Sequence, residues 1–153
     1  KELKIAHLSD LHIGAIHQKG YLEKVVQKTN SLNPDVVVIT GDLVDGSTLI
    51  TKDILSPINK IKSPVYFVIG NHEIYEGLDR VVPIFNKTKM KLLRNEKIKF
   101  KDINFIGVDY SESRREVHKR LNGTNIDKDK INILLYHSPI FKLHYLEEKG
   151  RKR

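Results

Sequence analysis

The apolar residues of this chain form short continuous runs that alternate with helix-like stripes. Runs rich in β-branched residues predict strands at residues 3–9, 35–40, 65–69 and 131–136. Stripes that repeat every three to four residues predict helices at residues 21–32, 52–61 and 78–85. The run DVVVIT at residues 35–40 has no polar face, which is typical of a strand buried on both sides.

The middle of the chain has a different character, with short apolar segments set close together. They lie at residues 90–94, 98–101 and 103–108, with turn signals between them. This spacing predicts antiparallel pairing. A polar helix at residues 111–121, a last buried strand at 131–136 and a helix at 141–149 complete the predicted elements. The order of elements favours an α/β domain with a mixed sheet, or with two sheets packed together.

Polar residues follow four of the predicted strands at their carboxyl ends, where open α/β sheets place their active sites. The four segments read SDLH at residues 9–12, GDLVDG at 41–46, GNHE at 70–73 and YHSP at 136–139. Any one of them alone could be an ordinary turn or cap. Four at equivalent positions favour a shared functional site.

The first two segments offer carboxylates and an imidazole. Asp10 and His12 are two residues apart, so in an extended segment both side chains reach the same side. This donor pair suits Zn, Fe or Mn, whereas Mg favours oxygen ligands. Asp42 has two carboxylate oxygens and could hold two cations at once. Gly41 lets the backbone bend tightly beside it, and Asp45 is interpreted as a turn or supporting residue.

The other two segments offer an amide and two imidazoles. Asn71 is an unusual ligand type, and its structural alternative is a left-handed turn residue. His72 points away from Asn71 if the segment is extended, and could then face a substrate oxygen as a proton donor or charge stabiliser. His137 ends a predicted buried strand. The remaining histidines fit less well: His7 is expected to be packed, and solvent-exposed positions are expected for His17, His118 and His144.

Composition narrows the classes of function. The chain has 153 residues, 27 basic against 19 acidic side chains and a net charge of +8, which suits a phosphorylated or polyanionic partner. The basic residues are scattered, so a lysine-rich surface is preferred over a nucleic-acid footprint. There is no cysteine, which excludes disulfides, thiolate metal sites and a cysteine nucleophile. No run of 18 apolar residues occurs.

Taken together, the D-x-H, G-D-x-x-D, G-N-H-E and strand-end H motifs resemble the calcineurin-like metallophosphoesterase superfamily. The H-S-P form at His137 and the segments at residues 70–75, 93–96 and 107–109 look most like its YkuE-like branch. The resemblance implies an α/β fold of the metallophosphoesterase type, a sandwich of mixed β-sheets flanked by helices. It also implies two divalent cations, Mn, Fe or Zn.

The resemblance further implies a role for each matching residue. Asp10 and His12 would bind the first metal, Asp42 would bridge, and the second metal would be bound by Asn71 and His137. His72 would assist the leaving group. A metal-activated hydroxide would attack phosphorus in line, with the two ions about 3.5–4 Å apart.

The chain departs from the family pattern after His137, because no G-H-x-H motif follows. We therefore expect residues 1–153 to be the N-terminal portion of a single catalytic domain, incomplete and with impaired hydrolysis. The expected substrate is a phosphorylated small molecule, lipid or nucleotide, and the expected location is cytoplasmic or membrane-associated through an upstream segment. The alternatives are a non-catalytic phosphate- or nucleic-acid-binding module and a nuclease of the same superfamily.

Overall fold

Four parallel strands form the first sheet of the computed structural model, which describes residues 2–138. The strands are neighbours in sequence order: β1 (Ile5–Leu8), β2 (Val36–Thr40), β3 (Val65–Val68) and β4 (Lys91–Leu92). The register pairs Val38 with His7 on one side and with Tyr66 on the other. All five residues of β2 are buried, as its sequence predicts.

The second sheet has three strands, β5 (Glu96–Phe100), β6 (Ile103–Gly107) and β7 (Ile131–Leu135). A tight turn joins β5 to β6, and this pair is antiparallel. β7 returns to β6 through a helix and pairs with it in parallel. The sheet is therefore mixed.

Helices connect the strands of both sheets. They are α1 (Lys19–Ser31), α2 (Lys52–Leu55), α3 (Asn71–Glu76), α4 (Leu78–Phe85) and α5 (Arg114–Gly123), with a 3-10 helix at Ser56–Lys60. None of the helices within residues 2–138 is long and apolar enough to cross a membrane.

Two apolar layers hold the fold together, one on each face of the first sheet. On the outer face, Phe67 of β3 packs edge-on against Phe85 of α4, with ring centroids 5.2 Å apart. On the inner face, Val38 and Tyr66 pack against Phe105 of the second sheet. Alternate residues of a strand point to opposite faces, so a continuous apolar run supplies both layers.

The predicted fold class, two mixed sheets flanked by helices, is confirmed. The antiparallel pairing predicted for residues 90–94 is wrong, because β4 pairs in parallel with β3. The chain between them forms α3 and α4, and a helical crossover brings the next strand back in the same direction. β7 is also less buried than predicted: it lies at the edge of its sheet, and Ile131 is 64% exposed.

One helix prediction also needs correction, and one helix was missed. The single helix predicted over residues 52–61 divides at Ser56, since Pro57 removes a backbone donor and the chain continues as a 3-10 helix. The short helix α3 was not predicted. The helix predicted at residues 141–149 lies outside the described residues.

Candidate metal centre

The predicted site residues lie just beyond the carboxyl ends of β1, β2, β3 and β7. Asp10, His12 and Asp42 have φ angles of 54°, 47° and 52°, in the left-handed region that side chains disfavour. The backbone at Asp10 and His12 is therefore not extended, contrary to the sequence expectation. Such strain persists only where the surroundings enforce it, and it is concentrated at functional sites.

Backbone hydrogen bonds between the first two loops enforce this conformation. The N–H of Asp10 donates to the carbonyl of Gly41 at 3.2 Å, and the N–H of His12 donates to the carbonyl of Asp42 at 3.0 Å. Ile13 continues the pattern with the carbonyl of Leu43 at 2.7 Å. The loops after β1 and β2 are thus paired like two further strand ends.

Glycine allows the third loop to approach the second. A Cβ atom at Gly41, whose φ is +86°, would lie 2.7 Å from the Cα of Gly70 and 2.8 Å from Nδ1 of His137. A Cβ at Gly70 would lie 2.4 Å from Oδ1 of Asp42. Both positions need glycine so that the loops can meet.

Asp42 lies at the centre of the cluster and is only 4% exposed. Its Oδ1 accepts a hydrogen bond from the backbone N–H of His72 at 3.0 Å. Its Oδ2 faces three imidazole Nε2 atoms, those of His137 at 3.3 Å, His12 at 3.9 Å and His72 at 4.0 Å. One buried oxygen therefore faces three nitrogens that can each bind a cation.

Backbone carbonyls orient two of these imidazoles. Nδ1 of His137 lies 2.8 Å from the carbonyl oxygen of Thr40, and Nδ1 of His72 lies 3.2 Å from that of Asp45. A carbonyl oxygen only accepts, so in both rings Nδ1 carries the proton and Nε2 is directed at Asp42. Metal-binding histidines are commonly fixed in this way.

The donor atoms form two groups around Asp42. One contains His12, Asp42 and His72, and the other contains Asp10, Asp42 and His137, with the atoms of each group within 4.8 Å of one another. Asp10 and His12 are also close, with Oδ1 and Nε2 3.8 Å apart. The family resemblance divides these residues differently between the metals, and that assignment stays a prediction.

Asn71 is the first residue of α3, with Gly70 as the N-cap. The segment from Asn71 to His72 is therefore helical, and neither the extended conformation nor the left-handed turn considered for it is found. The residues on both sides of Asn71 contact Asp42, which places its backbone at the edge of the cluster.

Glu73 is the residue of the third motif to which sequence analysis gave no role. It is 0% exposed, and its carboxylate accepts hydrogen bonds from the N–H groups of Gly70, Asp42, Leu43 and Val44. Burial raises its pKa above the ordinary value, while these N–H groups oppose the rise. A glutamate at the third position of a helix that begins after a glycine is a capping signal, and it could have indicated this role.

Tyr110 is a second residue that sequence analysis missed. Its ring meets the ring of His137 edge-on, with centroids 6.0 Å apart. Burial, followed by the charge of Glu112, raises the pKa of Tyr110. A cavity of about 230 Å³ lies behind it, with Arg114 and Tyr136 among its lining residues. This cavity adjoins the cluster on the side of β7.

Among the described residues, the other histidines take no part in the cluster contacts. His7 was expected to be packed, but it is exposed because β1 is an edge strand, and its Nε2 lies 2.7 Å from Oγ1 of Thr40. His17 is exposed and stacks on Tyr21, with ring centroids 4.4 Å apart. His118 lies on α5, and His144 is outside the described residues.

The donor set fits divalent cations of the kind expected. Carboxylate oxygens and imidazole nitrogens together suit Zn, Fe or Mn better than Mg. The Nδ1 hydrogen bonds already fix the tautomers that leave Nε2 free for a cation. The residues present are therefore suited to metal binding.

Known proteins give an independent comparison. The chain matches the family model described as calcineurin-like phosphoesterase over residues 3–152. An uncharacterized metallophosphoesterase of Helicobacter pylori strain J99 is 37% identical over 147 residues, which cover 91% of this chain and 39% of that protein. An uncharacterized metallophosphoesterase of Aquifex aeolicus is 31% identical over 149 residues, which cover 92% of this chain and 57% of that protein.

A more distant relative comes from an animal. A transmembrane protein with metallophosphoesterase domain from Bos taurus is 30% identical over 159 residues, which cover 90% of this chain and 35% of that protein. The chain thus spans between about a third and somewhat over half of these relatives. It belongs to the calcineurin-like phosphoesterase family, whose members are metal-dependent phosphoric ester hydrolases.

Proposed function

We propose that this chain supplies the metal site of a hydrolase that cleaves phosphate esters with two divalent cations. The observation that carries the proposal is the position of Asp42, whose buried Oδ2 faces the Nε2 atoms of His12, His72 and His137 within 4.0 Å. A carboxylate can bind two cations at once, so Asp42 is the candidate bridge. Family membership supports the reaction class.

Each residue has a defined task in this proposal. Asp10, Asp42 and the imidazoles of His12 and His137 would hold the cations, which would supply Lewis acidity to the phosphoryl oxygens and to the attacking water. Asn71 adds an oxygen donor without adding charge. His72, fixed through Nδ1 on the carbonyl of Asp45, presents Nε2 to the cleft and can hold a proton for the leaving oxygen.

The test combines metal analysis with hydrolysis of a phosphate monoester and a phosphate diester, measured side by side on the full-length protein. We expect two metal equivalents and hydrolysis that stops when the metal is removed. Asp42→Asn should lose bound metal and hydrolysis. Asp53→Asn, which removes a carboxylate that pairs with Lys19 at the surface, should retain bound metal and hydrolysis. A protein that binds phosphate esters but turns none over would instead support the non-catalytic alternative.

The substrate proposal rests on exposed apolar side chains near the cleft. Ile16, Leu49 and Tyr75 are 87%, 67% and 66% exposed, the highest values for large apolar residues in the described part of the chain. The loop of Ile16 follows His12, and the loop of Leu49 follows Asp42. The N–H of Ala15 bonds Oγ of Ser47 at 2.9 Å, which joins these two loops.

Tyr75, on α3, is the third of these side chains, and its ring centroid lies 5.9 Å from that of His72. Contiguous exposed apolar patches mark binding sites, and we propose that these three side chains form one such rim along the cleft. We propose that the substrate is a phosphate ester with an alkyl or acyl chain that lies along this rim. The name of the Bos taurus relative describes a transmembrane protein, in agreement with a substrate at a membrane surface.

Chain-length dependence tests the substrate proposal. Leu49→Ser should lower kcat/KM for a long-chain phosphodiester in micelles and leave the rate on a short-chain phosphodiester unchanged. Ile131→Ser is the matched control, because Ile131 is similarly exposed, at 64%, on β7 of the second sheet. Equal losses on both esters, or faster hydrolysis of an oligonucleotide than of the lipid ester, would overturn the proposal.

A further inference from the structure

Glu73 is a buried acid without a catalytic task, and it contacts both of the loops that carry Asp42 and His72. Its Oε2 accepts from the N–H of Gly70 at 2.8 Å and from that of Asp42 at 2.9 Å. Its Oε1 accepts from the N–H groups of Leu43 at 2.8 Å and Val44 at 3.2 Å. The four donors belong to loops that are about 30 residues apart in sequence.

The geometry requires a carboxylate rather than an amide. The N–H groups of Asp42, Leu43 and Val44 are consecutive and converge on one anion, as in the backbone nests that bind phosphate. The left-handed φ angles of Gly41 and Asp42 turn the backbone so that this convergence occurs. Each carboxylate oxygen receives two donors, whereas a glutamine would direct an NH₂ group at one of the two pairs.

The same contacts fix where the metal-binding atoms lie. Oδ1 of Asp42 is held by the backbone N–H of His72, the residue directly before Glu73. Without the Glu73 carboxylate, the loop after β2 would be held to α3 by this bond and by the contact of the Asp45 carbonyl with Nδ1 of His72, and the four backbone hydrogen bonds to the carboxylate would be lost. The distance from Oδ2 of Asp42 to the Nε2 atoms of His72 and His137 would then be less tightly fixed.

We propose that Glu73 is a positioning residue that locks the Asp42 loop against the start of α3, so that the shared carboxylate is in place before the cations bind. This inference rests on the proposed two-metal function. It assigns no chemistry to Glu73 itself. Removing a group that orients metal ligands typically costs 10- to 100-fold in metal affinity.

The experiment compares Glu73→Gln and Glu73→Asp with the wild type in the full-length protein. Glu76→Gln is the control, because it removes a carboxylate from the same helix that pairs instead with Arg80, at 3.3 Å. Mn²⁺ affinity is measured by titration calorimetry, and electron paramagnetic resonance distinguishes two coupled Mn²⁺ ions from isolated ones. Amide hydrogen exchange of residues 42–44 and 70 is followed without metal.

We expect Glu73→Gln to weaken Mn²⁺ binding about 10- to 100-fold, to replace the coupled spectrum by that of isolated ions and to accelerate exchange of the four amides. Glu73→Asp keeps the charge and should lie closer to the wild type in all three measurements, while Glu76→Gln should match the wild type. If Glu73→Gln does not fold, the comparison of Glu73→Asp with Glu76→Gln decides the question.

Wild-type Mn²⁺ affinity, a coupled spectrum and slow amide exchange in Glu73→Gln would overturn the proposed role of Glu73. Failure of the wild type to bind Mn²⁺ would instead overturn the proposed function. In that case the amide exchange, which needs no metal, still decides whether Glu73 locks the two loops.

Discussion

At the scale of single residues, the centre depends on one buried carboxylate and on backbone conformations that side chains disfavour. Asp42 is 4% exposed, and Asp10, His12 and Asp42 all have left-handed φ angles. The left-handed region costs most L-residues roughly 1–2 kcal/mol, and aspartate adopts it more readily than histidine. Packing and hydrogen bonds within the fold offset this cost, which places the donor atoms before any cation binds.

A mutation of His72 can separate its role in catalysis from metal binding. His72→Ala should lower kcat about 10²- to 10⁴-fold while metal content stays near that of the wild type, because its task is proton donation or charge stabilisation. Metal analysis and kinetics on the same sample provide the measurement. His17→Ala is the control, because His17 is exposed and stacks on Tyr21.

The effect of His72→Ala on metal content also tests whether His72 is itself a metal ligand. Nε2 of His72 lies in the same group as the donor atoms of His12 and Asp42. Loss of one metal equivalent in His72→Ala would show that this imidazole is a ligand, and the role transferred from the family would then be wrong.

The sequence predicted which residue types meet but not how the backbone brings them together. Strand-end position alone was enough to select Asp42 and His137, because parallel strands end at the same edge of a sheet. It gave no sign that Asp10 and His12 would be left-handed, since φ at these positions is set by hydrogen bonds to a loop about 30 residues away. Three of the four backbone partners of Glu73 also come from a distant loop, so only its position three residues after the N-cap glycine was a local signal.

At the scale of elements, the site depends on how closely the loops after β2 and β3 approach. Gly41→Ala should destabilise the protein by at least about 1–2 kcal/mol, because its φ of +86° is left-handed and its Cβ would meet backbone atoms of Gly70 within 2.8 Å. Metal affinity should fall in parallel, since the same Cβ would lie 2.8 Å from His137. Denaturant unfolding and Mn²⁺ titration measure the two effects.

Gly20→Ala is the matched control for this prediction. Gly20 lies in α1, and nothing stands within 4 Å of a Cβ built there. Alanine is favoured over glycine in helices, so this variant should be unchanged or more stable by up to about 1 kcal/mol. Equal destabilisation by both substitutions would contradict the close-approach argument.

Periodicity predicted the longer elements well and the short ones poorly. The apolar run of β2 and the stripe of α1 carry enough residues to specify their type. β4 has only two residues, and its direction follows from the α3 and α4 crossover rather than from its own sequence. α3 has six residues and starts inside a motif that reads as a turn.

At the scale of the whole molecule, the two sheets are joined by an apolar layer and by ion pairs, two of which lie near opposite ends of the sheets. Asp35, just before β2, meets Lys101 in the β5–β6 turn at 2.6 Å. At the other end, Arg94 meets Asp109, just beyond β6, at 2.7 Å. The first pair is largely exposed, whereas the carboxylate of Asp109 is only 6% exposed.

The contribution of the Asp35–Lys101 pair to the free energy of unfolding should depend on pH. The hydrogen bond from Lys101 lowers the pKa of Asp35, so its stabilising effect is present above the unfolded value of about 4 and is lost as pH falls through the lower folded value. Lys101→Met should therefore differ from the wild type in unfolding free energy at neutral pH and converge with it towards about pH 3. Lys97→Met is the control, because Lys97 bonds a backbone carbonyl, that of Asn125. A difference independent of pH would contradict this assignment.

The ion pair of Arg94 with the buried carboxylate of Asp109 should have a larger effect on stability. Nε and an Nη atom of Arg94 donate to Oδ2 of Asp109 at 2.9 and 2.7 Å, and Oδ1 has no hydrogen-bond partner among the described residues. Arg94→Met would leave a buried carboxylate without its cation, at a cost of about 1–3 kcal/mol or more. Asp109→Asn in the same background should recover part of this loss, because a neutral amide costs less to bury.

Lys91→Met is the control for Arg94→Met, since Lys91 of β4 and Glu96 of β5 form an exposed pair 3.9 Å apart between the two sheets. Exposed pairs contribute little, so we expect a change within about 0.5 kcal/mol. Urea unfolding of the metal-free protein measures all three variants. Arg94→Met and Lys91→Met should then differ by more than the error of the measurement, and equal values would mean that the apolar layer alone holds the two sheets together at this end.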